Sequence, residues 1–174
     1  QNGWVDRTQL LAIRGRSRSA QLAMASRKGV EVFGCPSGGC LLTDPAIARR
    51  LKDTFCFIPD CDLRDATLVT FGRHFRLHPG LKVILGRNQT ENDRLQKIGA
   101  EWPRLEIAEI PGPAMLLRGK MRDEDRQPLG HLLKRYARKA GADTVTIQYT
   151  SGERREQWNV TREATNEEVN RCRI

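Results

Sequence analysis

The sequence predicts an α+β protein: a small helical N-terminal portion over 1–62, then an α+β domain over 63–174 in which a mostly antiparallel sheet packs with two helices. Three observations predict it. Helical spacing and a strong helix start occupy the first third. Alternating β-branched and aromatic residues flank two turn signals, Pro79-Gly80 and Ser151-Gly152. No long βαβ alternation follows, which argues against a doubly wound nucleotide-binding domain.

In order along the chain, Val5 to Gly29 reads as two short helices broken at Gly15, and Val30 to Phe33 as a brief strand. The glycine-rich stretch from Gly34 to Gly39 reads as irregular. Asp44-Pro45 opens a helix to about Phe55, with Asp as N-cap and Pro at the first helical position, exposing Arg49, Arg50 and Lys52. Cys56 to Asp65 is a connector, and the domain boundary falls there. Leu68 to Leu77 and Leu81 to Leu85 form a hairpin. Asn88, with Glu91 three residues on, starts a helix that extends to about Ile98. Leu105 to Ile110 and Ala114 to Leu117 are short strands around Pro111-Gly112-Pro113. Gln127 to Ala140 is an amphipathic helix, and Thr144 to Tyr149 with Glu156 to Val160 is a last hairpin. The tail after Arg162 is polar and gives no pattern.

Charge narrows the function. The 174 residues carry 30 Lys+Arg against 21 Asp+Glu, a formal charge of +9, with a pI near 9.8. The basic residues cluster at 14–18, 49–52, 73–87 and 134–139. A polyanionic partner, nucleic acid first, is favoured over a charge that serves only solubility. No apolar run approaches the ~18 residues of a membrane span, and no secretory signal is present, so the chain reads as soluble and cytoplasmic. Five cysteines without such a signal read as reduced thiols.

The Lys82 to Asn92 segment is the most specific chemical feature. An alternating strand runs through Gly86-Arg87-Asn88 into a capped helix, placing an arginine, two asparagines and an open helix end together, as suits a phosphate. On the preceding hairpin strand, Phe71, Arg73 and Phe75 share one face and His74 and Arg76 the other. Arginines there can bind phosphates, and an exposed ring can stack on an unpaired base, unless both Phe side chains fill the core. Arg73, His74, Arg76, Lys82, Arg87, Asn88 and Asn92 are therefore the candidate RNA-binding set. Lys134, Arg135, Arg138 and Lys139 extend it on the outer side of the amphipathic helix.

Other chemistry is weaker. Cys35-x4-Cys40 and Cys56-x4-Cys61 repeat one spacing, which leaves a thiolate metal site conceivable, although Cys56 between Phe55 and Phe57 reads as a buried structural thiol. Cys40, after two glycines, can be a reactive thiol, one ligand of a cluster, or simply packed. His74, His78 and His131 form no hydrolytic order with Ser and Asp. Ser37-Gly38-Gly39 lacks the acidic and hydroxyl positions of a Ser-Gly-Gly-x-Asp-Ser phosphate loop.

Three segments together carry a family resemblance: Gly38-Gly39-Cys40-Leu41-Leu42-Thr43-Asp44-Pro45, Gly72-Arg73-His74-Phe75-Arg76-Leu77 and Lys82 to Asn92. They resemble the C-terminal part of PP-loop proteins related to tRNA thiouridylases, often labelled tRNA methyltransferase or thiolation proteins. Gly86-Arg87-Asn88 with Glu91-Asn92-Asp93 is also similar to the RNA-binding module of NFACT proteins, the ribosome quality-control factors. Gly3-Trp4-Val5-Asp6-Arg7 and Gly15-Arg16-Ser17-Arg18 look like the link after an ATP-binding domain.

The resemblance implies a fragment, not catalytic alone, that binds tRNA or other RNA for an ATP-dependent tRNA-thiolating parent. The PP-loop domain and its paired cysteines would lie upstream of Gln1. ATP and an iron–sulfur cluster would be the parent's cofactors, with Cys40 as its catalytic thiol or cluster ligand. The alternatives are a cysteine-based metal or thiol enzyme domain and a ribosome-associated interaction module.

Overall fold

The computed structural model describes residues 6, 8, 13, 19–30, 41–137 and 143–174. The chain divides into two compact units, Gln1–Cys40 and Leu41–Ile174. In the first, α1 (Ser19–Arg27) ends in a Schellman motif, with the Val30 amide donating to Ala25 O and the Gly29 amide to Ser26 O, at a glycine with φ of 65°. The expected first helix, the strand over Val30–Phe33, and the glycine-rich stretch with Cys35 and Cys40 lie largely or wholly outside the described residues. So do Arg138 and Lys139.

In the second unit, α2 (Pro45–Phe57) starts where the sequence places it. The Asp44 carboxylate accepts from the Ala46 and Ile47 amides at 2.7 and 3.3 Å, and Pro45 lacks the donor a first-turn residue would leave idle. A short helix, α3 (Leu63–Leu68), follows across the expected connector, and the chain turns through Val69–Gly72, so the strand expected from Leu68 begins only at Arg73. Its signal is a reciprocal box: Asp62 accepts from the Arg64 and Asp65 amides, and Asp65 accepts from the Asp62 amide. The expected boundary near residue 62 thus falls inside this unit, between two helices that lie on the same sheet.

Six antiparallel strands form that sheet: β1 (Arg73–His78), β2 (Leu81–Leu85), β3 (Arg104–Ile107), β4 (Met115–Gly119), β5 (Val145–Ser151) and β6 (Arg154–Val160), in the order β1-β2-β4-β3-β5-β6. The expected hairpins form around Pro79-Gly80 and Gly152-Glu153, the latter with Gly152 at a φ of 58°. Between strands lie α4 (Gln89–Ile98) and α5 (Arg126–Tyr136), both near their expected bounds. The polar tail forms α6 (Asn166–Cys172), capped reciprocally by Thr165 and Glu168. The Ile174 amide donates to His74 O and so covers part of the β1 edge.

Strand alternation divides the core. Leu81, Val83 and Leu85 of β2 join Met115, Leu117, Phe75 and Ile147 beneath Leu129, Leu132 and Leu133 of α5 and Val169 of α6. The opposite face of β2 and β4 presents Ile84 and Leu116, which pack with Leu68 of α3 and Leu95 of α4. Buried on both faces, β2 tolerates no exposed side chain, and all five of its residues are buried.

That second face also carries charge. Arg76, Lys82 and Arg118 are direct neighbours on β1, β2 and β4. Three like charges in one row repel, and carboxylates from α2, α3 and the turn between them compensate. Asp53 accepts from Arg76 at 3.0 and 2.6 Å and pairs with the Lys82 ammonium at 3.2 Å. Asp65 takes Arg118 at 3.0 and 3.2 Å, with Asp60 a further 3.2 Å partner.

Candidate nucleic-acid interface

Four separate segments meet in a cleft of about 290 Å3: Arg73, Gly86 to Gln89 with Asn92, Pro111 to Pro113, and Tyr136. Register brings the first two together, because Arg73 pairs with Leu85 and the chain then leaves β2 through Gly86-Arg87. Asn88 ends the crossing as N-cap of α4, its Oδ1 accepting from the Glu91 amide at 2.9 Å. The first-turn amides of α4 and the positive end of its dipole border the cleft. Glu91 is turned back into the protein, accepting from the Arg87 and Gly72 amides at 2.9 and 3.2 Å.

Asn92 builds the opposite wall. Its Nδ2 donates to Gly112 O at 3.2 Å and its Oδ1 accepts from the Ala114 amide at 3.1 Å, tying α4 to the Pro111–Pro113 loop. Gly86 is required beside it, since a Cβ there would sit 2.0 Å from Asn92 Oδ1.

Two arginines supply the charge. Arg87 is exposed, donates to Gly72 O at 2.7 Å, and approaches the Glu91 carboxylate only to 3.8 Å. Arg73 lies with its guanidinium 4.7 Å from the centroid of the Tyr136 ring. Among the described residues no carboxylate lies within ion-pair distance of it. Tyr136 in turn leans on buried Phe75, ring centroids 6.0 Å apart. Arg94, on α4, stacks on Phe71 at 5.2 Å.

The remaining expected contacts are internal, and each leaves the surface set for a physical reason. Lys82 is 2% exposed, its ammonium donating to Thr54 Oγ1 at 2.6 Å and Arg50 O at 3.3 Å beside Asp53. Arg76 is held bidentate by the same carboxylate. His74 is 1% exposed and donates from Nε2 to Phe71 O at 2.6 Å. Burial, with the nearby Lys82 and Arg50 charges, lowers its pKa to about 3, so it is neutral near pH 7. Asn92 is buried and acts through the loop it holds.

On α5, Lys134 is buried and donates to Asp143 O and Thr161 O at 2.7 and 2.8 Å, while Arg135 bonds Ala164 O and Asn166. The helical wheel places both outside the apolar stripe, but the segments flanking the β5–β6 hairpin wrap over that side of the helix. Cys56 is exposed and not buried, because the covered side of α2 runs through Arg50, Asp53, Thr54 and the following Ile58. Among the described residues no group of three or more His, Cys, Asp or Glu is placed to hold a metal. No described helix is long and apolar enough to cross a membrane.

Sequence reasoning missed Tyr136 as part of this site, since helical spacing assigned it to the apolar stripe. It also missed the carboxylate partners of Arg76, Lys82 and Arg118, for which separations of 23 to 58 residues leave no local signal.

An antiparallel α+β domain with a basic cleft at a helix start is the class these features define. The profile of the NFACT protein RNA-binding domain matches residues 72–173, and the chain belongs to that family. No curated protein matches the chain. Among solved structures it is similar in fold to the C-terminal portion of the fibronectin/fibrinogen-binding protein from Streptococcus suis. The identity is 13% and the TM-score 0.50, over 90% of this chain and 79% of that one.

Proposed function

We propose that this chain binds RNA and that the cleft at the start of α4 is its anchoring point. The observation that carries this is the coincidence, within the family's RNA-binding domain, of Arg73, unpaired among the described carboxylates, exposed Arg87, which meets Glu91 only at 3.8 Å, and the open end of α4. Most other ordered basic side chains on the sheet, Arg76, Lys82 and Arg118, already face carboxylates. Arg73 and Arg87 contact phosphates, and Asn88 orients the backbone there. A charge of +9 adds long-range attraction.

RNA affinity should therefore fall steeply with salt. Replacing Arg73 or Arg87 by Gln should lower the slope of log K against log salt by about 0.7 each for a single strand. Lys82→Met, an internal change, should leave the slope as it is. Absence of RNA binding at about 50 mM salt, or slopes unaffected by both arginine changes, would refute the assignment.

A finer reading makes the RNA a tRNA and the chain a part of an ATP-dependent, sulfur-inserting PP-loop enzyme. Its support is the likeness of Gly38 to Pro45, Gly72 to Leu77 and Lys82 to Asn92 to that group. ATP would belong to an upstream PP-loop domain. An iron–sulfur cluster would need ligands beyond Cys40, and the described residues offer no such set. Tighter binding of tRNA than of an unrelated RNA of equal length supports this reading. Co-sedimentation with ribosomes without affinity for free tRNA favours a ribosome-associated module instead.

A further inference from the structure

We infer that the cleft takes one unpaired nucleotide, its base stacked on the outer face of Arg73, whose N–H edge still reaches a flanking phosphate, and its own phosphate at Arg87 and the start of α4. The inference rests on the RNA-binding reading and adds the form of RNA recognised.

At about 290 Å3 the cleft lies near the low end of the roughly 300–1,000 Å3 typical of small-ligand sites. It can admit a single nucleotide and is too small for a base pair. An A-form duplex keeps its bases stacked and turned inward, so only an unpaired nucleotide can enter such a recess.

Phe75, Tyr136 and Arg73 form a series running from the core outward: two rings tilted 44° to each other with centroids 6.0 Å apart, then a guanidinium over the outer ring at 4.7 Å. Phe75 is fully buried and anchors the series. Arg73 lines the cleft with its guanidinium over the Tyr136 ring, and among the described residues no carboxylate pairs with it. A guanidinium fixed in this way presents a planar cationic surface, on which bases of any sequence stack.

The opposite wall is fixed from within the protein. Asn92 uses both ends of its amide to fix the Pro111–Pro113 loop, and Gly86 leaves room for it to do so. The recess is thus preformed and does not depend on ordering by the ligand. Asn88 uses its Oδ1 as the helix cap, which leaves its Nδ2 donors at the mouth for a phosphate or a base edge.

The test compares a short single-stranded RNA with a blunt duplex of the same sequence, binding to the whole 174-residue chain at one salt concentration. A 2-aminopurine in the strand reports stacking by loss of fluorescence. Wild type should bind the single strand about tenfold more tightly and quench the probe. Arg73→Lys keeps the charge but loses the plane. It should weaken the single strand at least about fivefold, abolish quenching, and leave duplex binding unchanged. Tyr136→Leu should act in the same direction, with its melting curve showing that the fold persists; if it does not fold, Arg73→Lys decides. Equal wild-type affinity for strand and duplex, or a preference untouched by Arg73→Lys, overturns this inference while RNA binding stands. Binding of neither RNA at low salt overturns the reading beneath it.

Discussion

Replacing Asp53 by Asn removes the charge that holds α2 to the sheet and leaves its shape in place. In the folded protein Asp53 serves two cations at once, Arg76 through two hydrogen bonds at 3.0 and 2.6 Å and the Lys82 ammonium at 3.2 Å. All three side chains are close to internal, at 12% exposure for Arg76, 10% for Asp53 and 3% for Lys82. Arg76 and Lys82 are cross-strand neighbours, so the variant leaves two unscreened like charges side by side and points an amide NH2 at donors. Breaking a buried pair by removing one member costs about 3–5 kcal/mol. The residual exposure places this case near the lower figure, about 3 kcal/mol, or roughly 10 °C in Tm for a domain of this size.

Thermal melts followed by circular dichroism measure it, and pH provides an internal control. Burial alone would raise the Asp53 carboxyl, but the Arg76 hydrogen bonds and the Lys82 and Arg76 charges outweigh it and hold the pKa below its ordinary value. Stability from a depressed carboxyl is present above the unfolded value of about 3.9 and is lost as pH falls through the folded one. The gap between wild type and Asp53→Asn should be flat from about pH 5 to 8 and narrow below about pH 4. Adding Lys82→Met to the variant removes one stranded cation and should recover about 1–2 kcal/mol. A Tm within about 2 °C of wild type at pH 7, or a gap that does not change in acid, would refute the argument.

Gly86→Ala drives a methyl group into Asn92 Oδ1 and should cost about 2 kcal/mol in urea unfolding, with loss of RNA affinity as the Pro111–Pro113 wall shifts. Asn88→Ala removes the α4 cap and should lower stability by about 1 kcal/mol in the same assay.

Elements with local chemistry were legible before the structure. Asp44-Pro45, Asn88 with Glu91, and the Pro79-Gly80 turn act within four residues of themselves, and α2, α4 and the first hairpin follow. Where two local signals competed, the prediction erred. Leu68 heads the alternating run read as a strand, but the Asp62–Asp65 box and the packing of Leu68 against Ile84 and Leu116 make it the end of a helix. The charges followed the same division. Composition shows that the chain is basic, but which cations are free depends on carboxylates that only tertiary contact supplies.

The sequence by itself determined an antiparallel α+β domain, its net positive charge, and the strand–turn–helix unit at Lys82 to Asn92, because each depends on near neighbours or on a sum over residues. Only the folded chain makes Lys82, Arg76, His74 and Lys134 internal and sets Arg73 over the Tyr136 ring beside Arg87. Burial and ion pairing are set by residues tens of positions apart, brought together by strand register and helix packing. No spacing along the chain encodes them directly.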